Sequence, residues 1–340
     1  MDSGLSERFQ HFGEKECPES SPLYAALALE IAKDTEMLAL VAECCRPEQP
    51  PANMLFGATQ YVLAKYPGNK LAEYFPWLSK PAKSPDGAYS AFRSFIFEYR
   101  ESVATCLQNR RVQTNEVRRC VYLLPIFLSA TQGFDNRSIA LIEIGCSAGL
   151  NLFWDQYAYD YGNGVGWGNT SSPITLESRF EGETPDIFSR PAPMISHRIG
   201  LDLNTISATD DDERAWLMAL VWPELIERRS RLEAALYFTS EQQLDLREGD
   251  GFVEVDDIIT SLPDNVIPAI YHTHVANQIS QDARKAFLQK IERIGRTRDL
   301  IHIHNNIKPG LNLSIFKGGE EHSSMIARAQ PHGEWVKWLG

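Results

Sequence analysis

No CxxC pair, no regular cysteine framework and no long apolar run occur in this chain. The six cysteines are Cys17, Cys44, Cys45, Cys106, Cys120 and Cys146, and the adjacent Cys44 and Cys45 suit no ordinary disulfide. Reduced thiols and a cytoplasmic location are therefore expected. The opening stretch MDSGLSERFQHFGEKE is polar and carries no secretory h-region, and no apolar run reaches the length of a membrane span. No membrane partner is expected. Positive charge is in deficit: 33 Lys and Arg face 45 Asp and Glu, a net charge of −12. Such a surface repels phosphate backbones and argues against a stable complex with long nucleic acid. Arg110-Arg111 and Arg118-Arg119 are the only basic pairs in the first half that run against this. Neither a GxGxxG dinucleotide fingerprint nor a P-loop is present. Repeats and low-complexity tracts are absent as well. What remains is globular, 43% hydrophobic and 23% charged over 340 residues, enough for one large or two ordinary domains.

The chain divides into two patterns. Residues 1–133 read as an all-helical N-terminal domain. Ser21-Pro22 is an N-cap followed by an N1 proline, and it opens a long helix running to Cys45. Asn53–Tyr66, Ala88–Leu107 and Glu116–Ala130 read as three more helices. From residue 134 to 340, apolar β-type runs alternate with helical segments. The runs are Ile139–Ile144, Met194–Leu203, Leu244–Glu248, Val266–Val275 and Leu300–Ile307. The helical segments between them include Leu150–Tyr159, Glu213–Leu220 with Glu227–Phe238, Phe252–Ile259 and Ser280–Ile294. Alternation of this kind implies a doubly wound parallel α/β sheet. LNLSIFKGG and SSMIARAQPHGEWVKWL then read as a terminal antiparallel pair around Gly318-Gly319. The glycine- and aromatic-rich stretch of about 160–192 reads as a hairpin insertion that flaps over the site.

The chemistry concentrates at IALIEIGCSAGLN, residues 139–151. A buried strand ends in Glu143, a glycine turn follows, and a helix begins. That arrangement holds a nucleotide-like ligand at the strand's C-terminal edge. Gly145 permits positive φ and close backbone approach, and Gly149 permits close packing of helix on strand. A side chain at Gly149 is expected to intrude on the ligand while the protein stays folded. The spacing resembles ExGxxxG, the first motif of class I S-adenosylmethionine-dependent methyltransferases. That resemblance implies a Rossmann-like sheet of order 3-2-1-4-5-7-6 and S-adenosylmethionine as cofactor. It makes Glu143, Gly145, Cys146, Ser147, Gly149 and Asn151 cofactor-binding residues, with Glu143 orienting the loop or reaching the cofactor's amino group. It also places an adenine contact at Asp250 in the Gly249-Asp250-Gly251 turn. Asp202, with Asn204, is the candidate ribose acceptor at the end of strand two, although it lies much further along than the roughly 20 residues usual for that acid. The alternatives are bland ones: Glu143 as a helix cap, Asp202 and Asn204 as turn residues, and Asp250 as a turn signal.

Strand four ends in AIYHTHVANQ, residues 269–278, where methyl transfer occurs in the resembled enzymes. No Asn/Asp-Pro-Pro-Tyr motif lies here, which argues against methylation of exocyclic base amines, and no Cys follows a Pro. His274, with His272, is the candidate catalytic base, expected to titrate near about 6.5 if unperturbed. His272 and His274 share a face of one strand, and His302 and His304 share a face of the next. Four imidazoles could thus meet, yet no HxHxD follows and no acid lies within the pairs, so core histidines are expected rather than a metal site. Arg111, Gln113, Asn115 and Glu116 form a polar run before strand one and, with Asn277, are candidate substrate residues. The alternative for this run is a plain N-cap cluster.

Six segments together resemble a bacterial family, the domain of unknown function 2332: FRSFIFEYR, RRVQTNEVRRC, IEIGCSAGLNLFWDQYAYDYG, GLDLN, WLMALVWPE and the GDG turn. They cover roughly residues 90–275. The resemblance implies a methyltransferase-like fold and leaves the substrate open. The expected function is methyl transfer to an O or N of a small or medium organic molecule. A non-catalytic protein that binds the cofactor and a metal-dependent hydrolase built on the histidines are the alternatives. No chemical role follows for Trp222-Pro223-Glu224 beyond ending a helix.

Overall fold

A computed structural model describes residues 3–113, 116–134 and 137–340. The chain forms two compact units, residues 1–114 with 210–233 and residues 115–209 with 234–340. The division thus falls near 114 rather than 133. Residues 210–233, read above as sheet crossovers, belong to the helical unit.

The helical unit contains Ser3–His11, Pro22–Ile31, Thr35–Cys44, Pro51–Leu63, Ala88–Glu98, Arg100–Asn109, Asp211–Ala219 and the first half of Ile226–Ser240. Ser21 caps the second helix as expected, accepting the N–H of Tyr24 at 3.2 Å. The long helix read to Cys45 is broken. Asp34 accepts the N–H groups of Glu36 and Met37, both at 3.0 Å, and starts a new helix. The segment read as Ala88–Leu107 also divides, at Tyr99, whose φ of −107° and ψ of 29° leave the helical range. The polar opening stretch forms a helix that buries Leu5 and Phe9, four residues apart. Glu224 acts structurally, since its carboxylate accepts the Ser21 hydroxyl and, at 2.9 Å, the N–H of Leu23. It thereby satisfies donors at the start of Pro22–Ile31, which is what the Trp-Pro-Glu segment contributes.

The sheet unit contains β1 (Ile139–Ile144), β2 (Ala158–Asp160), β3 (Gly166–Gly168), β4 (Thr175–Glu177), β5 (Ile195–Asp202), β6 (Asp245–Glu248), β7 (Ile267–His272), β8 (Leu300–His304), β9 (Leu311–Lys317), β10 (Glu320–Ala329) and β11 (Val336–Trp338). The main sheet runs β6-β5-β1-β7-β8-β9-β10-β11. Its first five members are parallel and occur in the expected 3-2-1-4-5 order. The last members depart from expectation. β9 pairs antiparallel with β8, and β10 lies outside β9, so the order continues 6-7 rather than 7-6. The cause is the short link: residues 305–310 hold no helix and permit only a neighbouring antiparallel return. The insertion forms its own three-stranded sheet, in which β2 and β3 make the hairpin and β4 pairs parallel with β2. Leu150–Gln156 is 3₁₀ rather than α, with Phe153 outside helical geometry.

β1 is buried along its whole length, as a central parallel strand covered on both faces must be. Ala140, Ile142 and Ile144 join Val255, Ile258, Phe287 and Ile291 of the helices Gly251–Ser261 and Gln281–Gly295 in one core cluster. The opposite face carries Glu143 and Tyr271, with Phe127 of the helix Cys120–Ala130 edge-on to Tyr271 at 5.2 Å. No described helix is long and apolar enough to cross a membrane.

Candidate functional site

The chain leaves β1 for β5 and β6 on one side, then returns to β7 and β8 on the other. The strand order therefore reverses between β1 and β7, and ligands of open α/β sheets bind at the C-terminal edge of such a point. The turn Gly145–Gly149 sits there. Gly145, Ser147 and Gly149 all have positive φ, of 76°, 49° and 70°. The turn is fastened to β5. The Leu201 carbonyl accepts Gly145 N–H at 2.7 Å, and the Ser147 carbonyl accepts Ile206 N–H at 3.1 Å. Cys146 is buried, its sulfur lying against Gly200, and burial pushes its thiol well up. The Ser147 hydroxyl is buried and makes no hydrogen bond.

A side chain at these glycines would meet neighbouring side chains of the sheet unit. A Cβ on Gly149 would lie 2.5 Å from Leu244 Cδ2, and one on Gly145 would lie 2.2 Å from Val275 Cγ2. The side chains nearest that position, Leu244 and Leu246, are half-buried. Gly251 likewise abuts Ile144 and Leu201, and a Cβ on Gly249 would strike the Glu254 carboxylate.

Asp202 ends β5. Its Oδ2 accepts Ser147 N–H at 2.8 Å and its Oδ1 accepts Asn204 N–H at 3.0 Å. The acid is a clamp between strand two and the glycine turn, and Asn204 is part of its turn. Asp250 is exposed and caps the helix Gly251–Ser261, accepting Phe252 N–H at 3.0 Å while Glu254 accepts its own N–H at 3.0 Å. The turn reading accounts for both contacts without a ligand.

Glu143 is 1% exposed and lies in register between Gly200 and Tyr271. Asn151 Nδ2 donates to its Oε1 at 3.0 Å, and the Cys120 thiol donates to Asn151 Oδ1. Asn151 thus serves Glu143. Burial pushes the Glu143 carboxyl up to about 8, against the pull of Asn151 and Arg119. That is the direction in which an apolar setting moves a carboxyl group.

The histidines divide three and one. His272 Nε2 lies 3.4 Å from His302 Nε2, and the rings of His302 and His304 stack at 4.7 Å. All three are buried, and Phe252 and Phe287 close over His272 at 5.3 and 5.8 Å. Burial lowers His272 to about 3 and His304 to about 4. His272 is fully buried among these rings. His274 stands apart, half-buried, with a left-handed backbone at φ 57°. Its N–H donates to Asn305 Oδ1 at 2.7 Å. Burial, then the Arg119 charge, lower it to about 4. Among the described residues, no group of three His, Cys, Asp or Glu could hold a metal ion.

The polar run before β1 is split between the units. Arg111 and Gln113 belong to the helical unit, where the Arg111 carbonyl accepts the Trp216 indole N–H at 2.7 Å. Asn115 lies outside the described residues. Glu116 belongs to the sheet unit, is 2% exposed, and accepts Arg118 N–H, with His332 Nδ1 3.5 Å from its other oxygen. Asn277 is exposed in a short 3₁₀ turn after β7. Two residues that were not among the site candidates adjoin His274. Arg119 is buried and its charge acts on Glu143, Tyr122 and His274. Tyr122 is buried, and its hydroxyl makes no hydrogen bond of good geometry, with Thr273 beside it. The available signal was Arg119 itself, a charge on the border of an apolar helix.

Residues 6–338 match the model of a family described as an uncharacterized protein conserved in bacteria, DUF2332. The chain belongs to that family. No curated protein and no solved structure matches it. The DUF2332 match spans both units, so neither the helical unit nor the sheet unit is a separate attachment to the family's chain.

Proposed function

We propose that this DUF2332 protein is an S-adenosylmethionine-dependent methyltransferase acting on an O or N of a small organic molecule. One observation carries the reading: a positive-φ glycine turn at the sheet's switch point, tied by Ser147 to the acid that ends the neighbouring strand. The parallel strands follow the 3-2-1-4-5 order of the resembled enzymes, while the terminal strands do not. The residues fit the cofactor's polar groups. Ser147 offers a buried hydroxyl with no partner, and the Asp202 carboxylate beside it shapes the turn through its contacts to Ser147 and Asn204. Bound S-adenosylmethionine would supply the methyl group. The chain's own part is to align the acceptor and, where the acceptor must lose a proton, to receive it at His274.

The low basicity of His274 favours a second reading. An imidazole lowered to about 4 is a weak proton acceptor, so a protein that binds the cofactor without turnover is the rival. The hydrolase alternative has no support, because the three clustered imidazoles face one another and two phenylalanines. Titration calorimetry with S-adenosylmethionine and S-adenosylhomocysteine tests the proposal. Binding of both supports it, and binding of neither at millimolar concentration ends it. Methyl release from the bound cofactor over hours then separates enzyme from binder.

A further inference from the structure

We propose that the cavity beside His274 is a binding site for the carboxylate of a small, flat organic molecule. The inference deepens the transferase reading by naming the acceptor class, and rests on it only for the transfer itself. The cavity has a volume of about 340 Å³ and lies wholly within the sheet unit, at the C-terminal ends of β7 and β8. That is small-molecule size.

Two of its side-chain amides, those of Asn305 and Gln330, have their carbonyl ends already engaged. The Asn305 side-chain carbonyl is taken by His274 N–H. The Gln330 side-chain carbonyl is taken by the N–H groups of His332, at 2.6 Å, and Glu334, at 3.4 Å. A backbone N–H can only donate, so both amide groups are fixed in orientation and each leaves its NH₂ for a ligand. The buried Tyr122 hydroxyl also lacks a partner of good geometry. No Asp or Glu is among the described residues that line the cavity.

Charge points the same way. Arg328 lines the cavity and has no acidic partner among the described residues. It lies directly across from Lys337 in the β10–β11 pair, a like-charge arrangement that an anion would relieve. A guanidinium matches a carboxylate in two-point geometry. Trp335 and Leu311 supply apolar wall for a flat body. Two lining residues, His274 and Asn306, hold left-handed backbones at φ 57° and 63°. Non-glycine residues in this conformation concentrate where a site demands them.

The test uses the full chain without S-adenosylmethionine. Benzoate, its neutral isostere benzamide, the cation benzylamine and inorganic phosphate are titrated by calorimetry. Benzoate is expected to bind while benzamide and benzylamine do not. Arg328→Gln is expected to weaken benzoate about tenfold or more, and Tyr122→Phe severalfold, with Arg328→Lys retaining part of the affinity. The exposed position of Arg328 leaves folding intact, and a thermal melt of each variant checks this. Failure of benzoate to bind, equal binding of benzamide, or an Arg328→Gln variant with unchanged affinity overturns the proposal. So does phosphate binding in the absence of benzoate binding. The same samples are titrated with S-adenosylmethionine: benzoate binding without cofactor binding keeps the cavity and discards the transferase.

Discussion

Asp202 Oδ2 accepts the backbone N–H of Ser147 at 2.8 Å, so the end of one strand holds the turn that ends its neighbour. The carboxylate adds to the backbone bonds from Leu201 and Ile206 that fasten the same turn. Asp202→Ala should therefore loosen the turn at Ser147. A buried donor left unpaired costs about 1–3 kcal/mol, and a loss at the low end is expected because Asp202 is itself only partly buried. Affinity for S-adenosylmethionine should fall about tenfold or more, equivalent to about 1.4 kcal/mol. Urea unfolding and calorimetry measure the two effects, and unchanged affinity would detach the clamp from the ligand.

Gly149→Ala should destabilise the whole protein. A Cβ there meets Leu244 Cδ2 at 2.5 Å, and φ is 70°. Left-handed backbone costs a residue with a Cβ about 1–2 kcal/mol, and overpacking adds about 1–3 kcal/mol. A lowered urea midpoint at unchanged slope is the expected result. A variant as stable as the parent, but unable to bind ligand, would place Gly149 against the cofactor rather than against the packing around Leu244.

The buried histidines give stability an acid limit. Their folded-state values lie below the ordinary 6.5, with His272 at about 3 and His304 at about 4. The unfolded chain therefore binds more protons, and stability falls as pH drops from about 6.5 toward 3. Glu143 acts oppositely. Raised to about 8, it favours the folded state below its ordinary 4.5, and that contribution fades as pH rises from 4.5 toward 8. Unfolding free energies measured at several pH values between 4 and 7 should show a steep acid loss. His272→Phe should flatten it, since the site already lies against Phe252 and Phe287. An unaltered acid slope in that variant would show that these rings do not set the limit.

His274→Asn isolates the proposed base. Asn tolerates the left-handed backbone that this position holds. Turnover should fall, about 10²–10⁴-fold for a true general base, with cofactor affinity nearly unchanged. In the parent protein the acid limb of the rate should lie near 4 rather than 6.5, because burial and Arg119 disfavour the imidazolium. A rate that the substitution leaves untouched would favour alignment without a base.

The five β/α repeats were legible because a buried parallel strand is a continuous apolar run, and Ile139–Ile144 is one. The glycine turn was legible because positive φ selects glycine at 145 and 149. Other features lay outside local pattern. The helix Asp211–Ala219 has the periodicity of any amphipathic helix, and periodicity does not say which unit its apolar face meets; nearby Leu220 lies 2.9 Å from where a Gly57 Cβ would be. Glu224 caps a helix two hundred residues away in sequence, which spacing cannot reveal. The histidine pairs were placed on matching faces by strand alternation, and three of them meet. His274 leaves the strand's alternation in a left-handed turn, so it does not join them.

The most direct test of the account is a crystal structure of the full chain with S-adenosylhomocysteine. The predicted result is a bound molecule lying along the Gly145–Gly149 turn, its ribose within hydrogen-bonding distance of Asp202 and its sulfur toward His274. Density for the ligand elsewhere on the chain, or none at saturating concentration, would contradict the assignment of the site and of the cofactor together.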